Sequence, residues 1–189
     1  MSGCINLTPP GQQLRYIDSY TSFEPAYVDH IPMRQPKLLN TYTYTNPLYP
    51  PNTRIVEFIV SEEKVSRRNY NKIKKEFVDR SIYSTSSDNN CFTFLNSIPS
   101  VNEIYKQEDC ARFIPIPYQV VFEENFRTKE LSRFESSEIY LLELKKGRFL
   151  EGDRSDSTIV FPEGWEQGIS KGISFNDELK FIIYWTLIW

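Results

Sequence analysis

The C-terminal residues 179–189 constrain the fold most, because their side chains alternate in a pattern that is typical of a β-strand. Every second position is apolar, whereas the positions between them are mixed. These eleven residues are too few to cross a bilayer as a helix, which takes about 20. We therefore expect the hydrophobic core to be assembled on this strand, whose apolar face comprises Leu179, Phe181, Ile183, Trp185, Leu187 and Trp189.

A preceding strand at residues 169–175 is predicted to form a hairpin with the terminal strand. A three-residue loop at 176–178 would place Ile173 opposite Phe181, whereas a two-residue loop would place it opposite Lys180. Apolar cross-strand pairs stabilise a sheet, and Asn or Asp tolerates the left-handed backbone conformation that such a loop requires. The sequence therefore favours the three-residue loop.

The remaining pattern predicts an α+β fold in a single domain. A content of 40% apolar and 15% aromatic residues is enough for a sizeable core and favours strands. A helix is predicted over about residues 62–80, capped by Ser61, with Tyr70, Ile73 and Phe77 facing inward. We expect a mainly antiparallel sheet that is built as a C-terminal meander and covered by this one helix. A short helix is also predicted around Leu131. Besides the terminal strand, the predicted strands are 54–60, 91–95, 118–122, 139–144, 158–161 and 169–175.

The N-terminal residues 1–52 differ in composition from the rest of the chain, because they hold eight of its twelve prolines. Such a density argues against long helices and central strands. We predict an extended, proline- and tyrosine-rich arm over 1–52 and a single domain over 53–189. Regularly spaced tyrosines give the arm apolar surface for contact, and Tyr42, Tyr44 and Tyr49 are predicted binding residues.

The net charge and the number of cysteines indicate which partners and which cellular compartment to expect. A net charge of −3 argues against a general polyanion-binding protein. The cysteines, Cys4, Cys91 and Cys110, are few and odd in number, which argues against a disulfide framework and favours a reducing compartment. The N-terminus shows no signal-peptide pattern. We expect a cytoplasmic protein that does not bind membranes.

The predicted helix carries a basic outer side that includes Arg67, Arg68 and Lys75. Such a face would contact an acidic protein or, as a less favoured partner, nucleic acid. The alternative interpretation is a solvated face, in which acidic Glu62 and Glu63 at the helix start and basic residues beyond them match the helix dipole.

Glu143 and Lys145 form the most enzyme-like feature of the sequence, because they lie two residues apart and project from the same face of a predicted strand. There the carboxylate would bind a divalent metal and the lysine would stabilise developing phosphate charge. The pair resembles half of the Glu-x-Lys signature of metal-dependent nucleases of the restriction-endonuclease-like type. The other half, an acidic residue ending an earlier strand, is not visible.

Other candidate chemistry is sparse. His30 is the only histidine, and without a Cys-x-x-Cys motif or a glycine-rich phosphate loop no metal or cofactor site is expected. Trp165, in a glycine-flanked loop, is either a contact anchor for a partner or a lid over one end of the sheet.

The function that these observations favour is that of a non-enzymatic protein–protein interaction protein: an inhibitor, an immunity protein, or an assembly or structural component. Its partner would be another protein or a second copy of the chain. The first alternative is a metal-dependent nuclease or phosphotransfer enzyme that uses Glu143 and Lys145. The second is a carrier of a small ligand, if the aromatic sheet encloses a cavity.

Overall fold

The computed structural model describes residues 10–36, 39–44, 55–87, 91–95, 114–117, 120, 122–124, 131–133, 137–150 and 161–189. The helices within these residues are α1 (Pro10–Thr21), α2 (Pro25–Val28) and α3 (Arg67–Arg80). The strands are β1 (Leu39–Tyr44), β2 (Val56–Glu62), β3 (Tyr83–Ser86), β4 (Thr93–Leu95), β5 (Pro115–Pro117), β6 (Phe122–Glu124), β7 (Leu131–Arg133), β8 (Ser137–Lys146), β9 (Gly168–Asn176) and β10 (Phe181–Ile188).

A six-stranded sheet with the order β1-β2-β10-β9-β8-β3 forms the centre of the molecule. Every pairing within it is antiparallel. Strands β8, β9 and β10 follow one another both in the chain and in the sheet, so they form the expected C-terminal meander. The prediction of an α+β fold with a mainly antiparallel sheet is confirmed.

The terminal strand β10 lies in the interior of this sheet and is buried on both faces. Phe181, Ile183, Trp185, Leu187 and Trp189 belong to one apolar cluster. The alternate residues of β10, among them Ile182, Tyr184 and Ile188, belong to a second cluster on the opposite face. The apolar face was predicted correctly from Phe181 onward, whereas Leu179 lies in a turn and is 57% exposed.

Three helices, rather than one, cover the second face. Tyr16 of α1 packs on Phe58 of β2 with a distance of 5.8 Å between the ring centroids. Phe23, two residues after the end of α1, packs on the same ring at 5.6 Å. Tyr70 and Phe77 of α3 are buried against the same cluster. The inward stripe predicted for α3 is therefore confirmed, and α1 and α2 add a second covering element.

The first face, which carries the side chain of Trp185, is covered by the short strands β4 and β5 and by single residues near them. Strands β4 and β5 form a separate parallel pair there. Side chains from these two strands and from residues near them pack with the apolar face of β10, and each is at most 5% exposed. They are Phe92, Leu95, Ile114, Ile116 and Val120.

The extended conformation predicted for the N-terminal arm is wrong over residues 10–21, which form a helix of 12 residues. The prolines of this region stand at its borders rather than inside it. Pro10 occupies the first helical position, where its missing N–H and fixed φ are tolerated, and the next proline is Pro25. The predicted arm–domain boundary at residues 52–53 lies outside the described residues.

The predicted hairpin register between β9 and β10 is also wrong, because the connecting turn has four residues. Ile173 lies opposite Tyr184 rather than Phe181. Lys180 takes a positive φ of 53° in the turn, and the side-chain oxygen of Asn176 accepts a hydrogen bond from the N–H of Leu179 at 2.8 Å. The polar side chain thus closes a longer turn.

This register also places Trp185 opposite Gly172. A Cβ at Gly172 would stand 2.1 Å from the Trp185 ring, so the ring occupies the space that a larger residue would need. The hydrogen-bonded partner of Trp189 is likewise a glycine, Gly168. Each of the two indole rings lies over a glycine of β9, and this fit sets the register of β9 on β10. Rules that consider only apolar cross-strand pairs do not include such a fit.

The other predicted elements agree with the structure in part. The strands at 54–60, 91–95, 139–144 and 169–175 are present with shifted ends as β2, β4, β8 and β9. Around Leu131 the chain forms β7 rather than a short helix, because it pairs with β6. Residues 158–160 of the strand predicted at 158–161 lie outside the described residues, and Phe161 is not in a strand.

Candidate functional site

Helix α3 starts at Arg67, five residues later than predicted, because its N-cap is Ser66 and not Ser61. Ser61 is a residue of β2. The side chain of Ser66 accepts a hydrogen bond from the N–H of Asn69, as an N-cap should. This shift matters for function because it changes which charges stand in the first turn of the helix.

The inner side of α3 is anchored by polar contacts to the turn between β9 and β10. Tyr70 Oη donates to Asp177 at 2.7 Å, and Lys74 Nζ lies 2.8 Å from Asp177 and 2.9 Å from Glu138. Burial lowers the pKa of Lys74, but its bonds to Asp177 and Glu138 outweigh this, so the pKa is raised. Lys74 is therefore a structural cation.

The outer side of α3 carries a second set of cations that make no such contacts. Arg67, Arg68, Lys72 and Lys75, which we call the basic face, are all exposed. None of the four is in an ion pair within the described part of the chain. The structure thus brings the predicted binding residues Arg67, Arg68 and Lys75 together with Lys72, another basic residue of the predicted outer side, on one exposed surface.

The arrangement of charge on the basic face opposes the helix dipole. No acidic residue stands in the first turn of α3, which instead begins with Arg67 and Arg68. Positive charge near a helix N-terminus is unfavourable. Glu62 ends β2 and Glu63 precedes the N-cap, so the alternative interpretation, in which these acids match the dipole, does not hold for this helix.

Beyond the first two turns the outer side of α3 becomes mixed in charge. Glu76 forms an ion pair with Arg80 at 3.7 Å on the next turn, and Asp79 is exposed. Arg80 also lies 3.8 Å from Asp29, which follows α2. The surface therefore runs from basic at the helix start to mixed near its end.

Glu143 and Lys145, the residues of the alternative catalytic interpretation, do lie side by side on β8 and form an ion pair. The second carboxylate oxygen of Glu143 lies 2.7 Å from Lys171 Nζ. Burial raises the pKa of Glu143, but its contacts with Lys145 and Lys171 outweigh burial and lower it. Both carboxylate oxygens are thus already in ion pairs within the protein.

A β-bulge directs Glu143 toward the helices. The register of β8 on β9 shifts between Leu141 and Glu143, and Leu144 packs with the apolar cluster on the opposite face. An extra residue in one strand reverses the alternation beyond it. Glu143 consequently lies opposite Lys171.

His30 is fully buried at the end of the α2 segment. Its Nε2 lies 2.8 Å from the carbonyl oxygen of Trp185 on β10, and its Nδ1 lies 3.7 Å from Asp29 Oδ1. Asp29 in turn lies 3.2 Å from Lys171 Nζ. The pKa of Asp29 is lowered, against the effect of burial, by contact with a protonated His30 ring and by the charge of Lys171. Burial lowers the pKa of His30.

The sequence patterns give little sign of a group of polar side chains between the α2 segment and the sheet. We call this group the polar cluster, and its members are Asp29, His30, Glu143, Lys171 and Thr186. Of these residues, only Glu143 and His30 are candidate functional residues in the sequence. The available signal was Lys171, a single lysine in the otherwise apolar row of alternate positions along β9. Among the described residues, no group of three or more His, Cys, Asp or Glu side chains is placed to hold a metal ion.

Trp165 packs at one end of the sheet. Its ring stacks on Trp189 with a centroid distance of 6.2 Å, and Lys146 Nζ lies 4.9 Å from the ring centroid of Trp165. Its carbonyl oxygen accepts a hydrogen bond from Trp189 Nε1 at 2.9 Å. These contacts correspond to the lid interpretation more closely than to the contact-anchor interpretation.

The predicted binding tyrosines lie apart from the basic face in the sequence. Tyr42 and Tyr44 belong to β1 and pair with Val60 and Phe58 of β2. Strand β1 is at the end of the six-stranded sheet. Tyr49 lies outside the described residues.

Cys91 is disulfide-bonded, so at least one disulfide is present although the cysteine content argued against a disulfide framework. Protein disulfides persist mainly in oxidising compartments, so the cysteine content no longer supports the predicted reducing compartment, which stays a prediction. Cys4 and Cys110 lie outside the described residues. None of the described helices is long and apolar enough to span a membrane.

Comparison with protein-family models, with curated proteins and with solved structures finds no match to this chain.

Proposed function

We propose that this protein is a non-enzymatic binding protein that contacts an acidic protein surface through the basic face of α3. The observation that carries the proposal is the contrast between two sets of cations on one helix. Lys74 is paired twice with carboxylates of the sheet and its turn, whereas Arg67, Arg68, Lys72 and Lys75 are exposed and unpaired within the described residues.

The basic face costs its own helix stability. Arg67 and Arg68 stand in the first turn, where each positive charge is unfavourable by about 0.3–1 kcal/mol. Arg68 and Lys72 are four residues apart and are like charges, but Lys72 and Lys75 are each followed four residues later by an acid, Glu76 and Asp79, at a similar gain of about 0.2–0.5 kcal/mol for each pair. The net cost therefore comes from the two arginines of the first turn. Where a helix has charges that destabilise it and that make no contact stabilising the fold, those charges are often retained for function.

A protein partner suits this surface better than nucleic acid does. Exposed Asp79 and Glu76 lie on later turns of the same side of the helix, where they would repel a uniformly negative phosphate backbone. The whole chain also carries a net charge of −3. A protein surface with an acidic patch and a mixed border matches both parts of the helix.

Glu143 and Lys145 do not carry a second proposal, because both oxygens of Glu143 are in ion pairs within the protein. The carrier of a small ligand stays a prediction from the sequence.

The proposal is tested by fluorescence anisotropy with a labelled, helix-forming Glu-rich peptide at low ionic strength. The double variant Arg68→Glu/Lys72→Glu should weaken binding by at least about tenfold. The matched control is Arg15→Glu/Arg34→Glu, which reverses two exposed charges away from α3 and lowers the net charge by the same amount. We expect the control to bind within about threefold of the wild type.

Two results would contradict the proposal. Equal loss in both double variants would mean that net charge, and not the basic face, determines binding. Tighter binding of a DNA duplex than of the peptide, lost in Arg68→Glu/Lys72→Glu, would identify nucleic acid as the partner.

A further inference from the structure

The segment that ends α2 is attached to the sheet by four polar contacts among the described residues, one of which is the ion pair between Lys171 Nζ and Asp29 Oδ1 at 3.2 Å. Lys171 Nζ donates to the carbonyl oxygen of Ala26 at 2.7 Å. Thr186 Oγ1 donates to the carbonyl oxygen of Tyr27, and the His30 ring contacts the carbonyl oxygen of Trp185. Apolar contacts also hold α1 and α2 on the sheet.

The contact with Trp185 determines the tautomer of His30. A carbonyl oxygen only accepts hydrogen bonds, so Nε2 of His30 must carry the hydrogen and donate it. In the neutral ring, Nδ1 is then an acceptor, and this buried atom has no hydrogen-bond partner. It faces Asp29 Oδ1, another acceptor, at 3.7 Å. The only place where the ring can take up a proton is therefore this atom.

We propose that residues 26–30 form a pH-sensitive latch that holds α1 and α2 on the sheet while His30 is neutral and releases them when His30 is protonated. The proposal is independent of the basic face and goes beyond the proposed function.

Among the described residues, two charged groups act on His30: Asp29, which is adjacent in the chain, and Lys171 from β9. Glu143 of β8 forms an ion pair with Lys171, and Arg80 of α3 forms one with Asp29, so both influence His30 through these partners. Strand β10 contributes only a carbonyl oxygen and the hydroxyl of Thr186.

The balance of these groups favours the neutral ring. Asp29 would attract an imidazolium, but its side chain is 51% exposed and is already shared with Lys171 and Arg80. The Lys171 ammonium repels a second positive charge. Burial, the largest effect, lowers the pKa of His30, and a buried charge without a full set of partners is costly.

The sign of the pH effect follows from this balance. In the unfolded or released segment His30 titrates near its ordinary pKa of about 6.5. Because the pKa in the folded state is lower, the stability that depends on the neutral ring is fully present above about pH 6.5. It is lost as the pH falls through the folded-state pKa.

The test uses the full chain and compares amide hydrogen exchange at about pH 7.5 and about pH 5, corrected for intrinsic rates. We expect protection in residues 13–28 to fall at least about tenfold at the lower pH, while residues 182–188 keep theirs. The variant His30→Gln places a non-titrating amide N–H near the position of Nε2 and should remove the pH dependence. An equal fall in the variant, an equal fall in both segments, or no fall in the wild type would overturn the proposal.

A second measurement does not depend on the variant folding. Because His30 is the only histidine, its ring signal in NMR spectra is unambiguous. The proposal expects its titration midpoint to lie below about 6.5 and to coincide with the loss of protection in residues 13–28. A midpoint at or above that value would overturn it.

Discussion

The two faces of β10 are both buried, but they are held in place by different kinds of contact. On one face Phe181, Ile183, Trp185 and Leu187 pack against apolar side chains from the segments around β4 and β5. The other face includes Thr186, whose hydroxyl donates to the Tyr27 carbonyl oxygen near α2. The first face therefore depends mainly on shape and volume, and its two indole N–H groups donate to Ser170 Oγ and to the Trp165 carbonyl oxygen. The second face combines apolar packing with a bond to the backbone of its covering segment.

This difference explains why the first face was easier to predict. An uninterrupted row of large apolar side chains indicates burial whatever covers it. A mixed row of Ile182, Tyr184, Thr186 and Ile188 is buried because α1, α2 and α3 cover it with apolar side chains and because the Tyr27 carbonyl oxygen of α2 accepts a hydrogen bond from Thr186. The following predictions test the two faces in order of decreasing effect.

The largest effect is expected on the apolar face, from Trp185→Ala. Trp185 is fully buried, so the substitution leaves a large cavity and should cost about 3–5 kcal/mol of unfolding free energy. Chemical denaturation of the wild type and the variant measures this difference. A loss below about 1 kcal/mol would show that the core is not built around this side chain.

Reduction of the disulfide at Cys91 should come next. Cys91 immediately precedes Phe92 and β4, which cover the apolar face, so the bond fastens that layer. Loss of a native disulfide costs about 2–5 kcal/mol. The unfolding midpoint should therefore fall in the presence of a reductant, and Cys91→Ala should match the reduced wild type. Identical stability with and without reductant would contradict a structural role.

A smaller effect on the same face is expected from Gly172→Ala. The added methyl group would meet the Trp185 ring at 2.1 Å and the Tyr140 carbonyl oxygen at 2.7 Å. Overpacking of this kind costs about 1–3 kcal/mol. Ser174→Ala, one pair along β9, serves as the matched control because a Cβ is already present there. Equal stability of Gly172→Ala and the wild type would indicate a different register between β9 and β10.

The smallest effect is expected on the helix-covered face, from Thr186→Val. The change keeps the size of the side chain but removes the hydrogen bond to the Tyr27 carbonyl oxygen. A net loss of about 1 kcal/mol is expected. The loss should appear as faster hydrogen exchange in residues 25–30 before it appears elsewhere. If the variant loses as much stability as Trp185→Ala, the two faces do not differ in the way described.

Sequence patterns predicted the elements whose buried face is visible as a periodic row of apolar residues within one segment. The apolar row of β10 and the stripe of Tyr70, Ile73 and Phe77 in α3 have clear periodicities, and both are packed in the core. Helix α1 was missed because proline content was averaged over residues 1–52, although residues 11–24 contain none. The density of a residue type over a long window hides where the individual residues stand.

The candidate sites depended on contacts between distant segments. The basic residues of α3 were predicted, but the unfavourable position of Arg67 and Arg68 followed only from the observed N-cap. The polar cluster joins Asp29 to Lys171, 142 residues away, and requires the bulge that turns Glu143 toward the helices. Neither the bulge nor the pairing leaves a local pattern in the sequence.

The most direct test concerns β10 as the central strand of the fold. Native-state hydrogen exchange across a denaturant series gives the opening free energy of each amide. We expect the hydrogen-bonded amides of 182–188 in β10 to exchange only through global unfolding. Their opening free energies should then equal the unfolding free energy from chemical denaturation. Opening of these amides several kcal/mol below that value, as in a frayed chain end, would contradict the position of β10 at the centre of the fold.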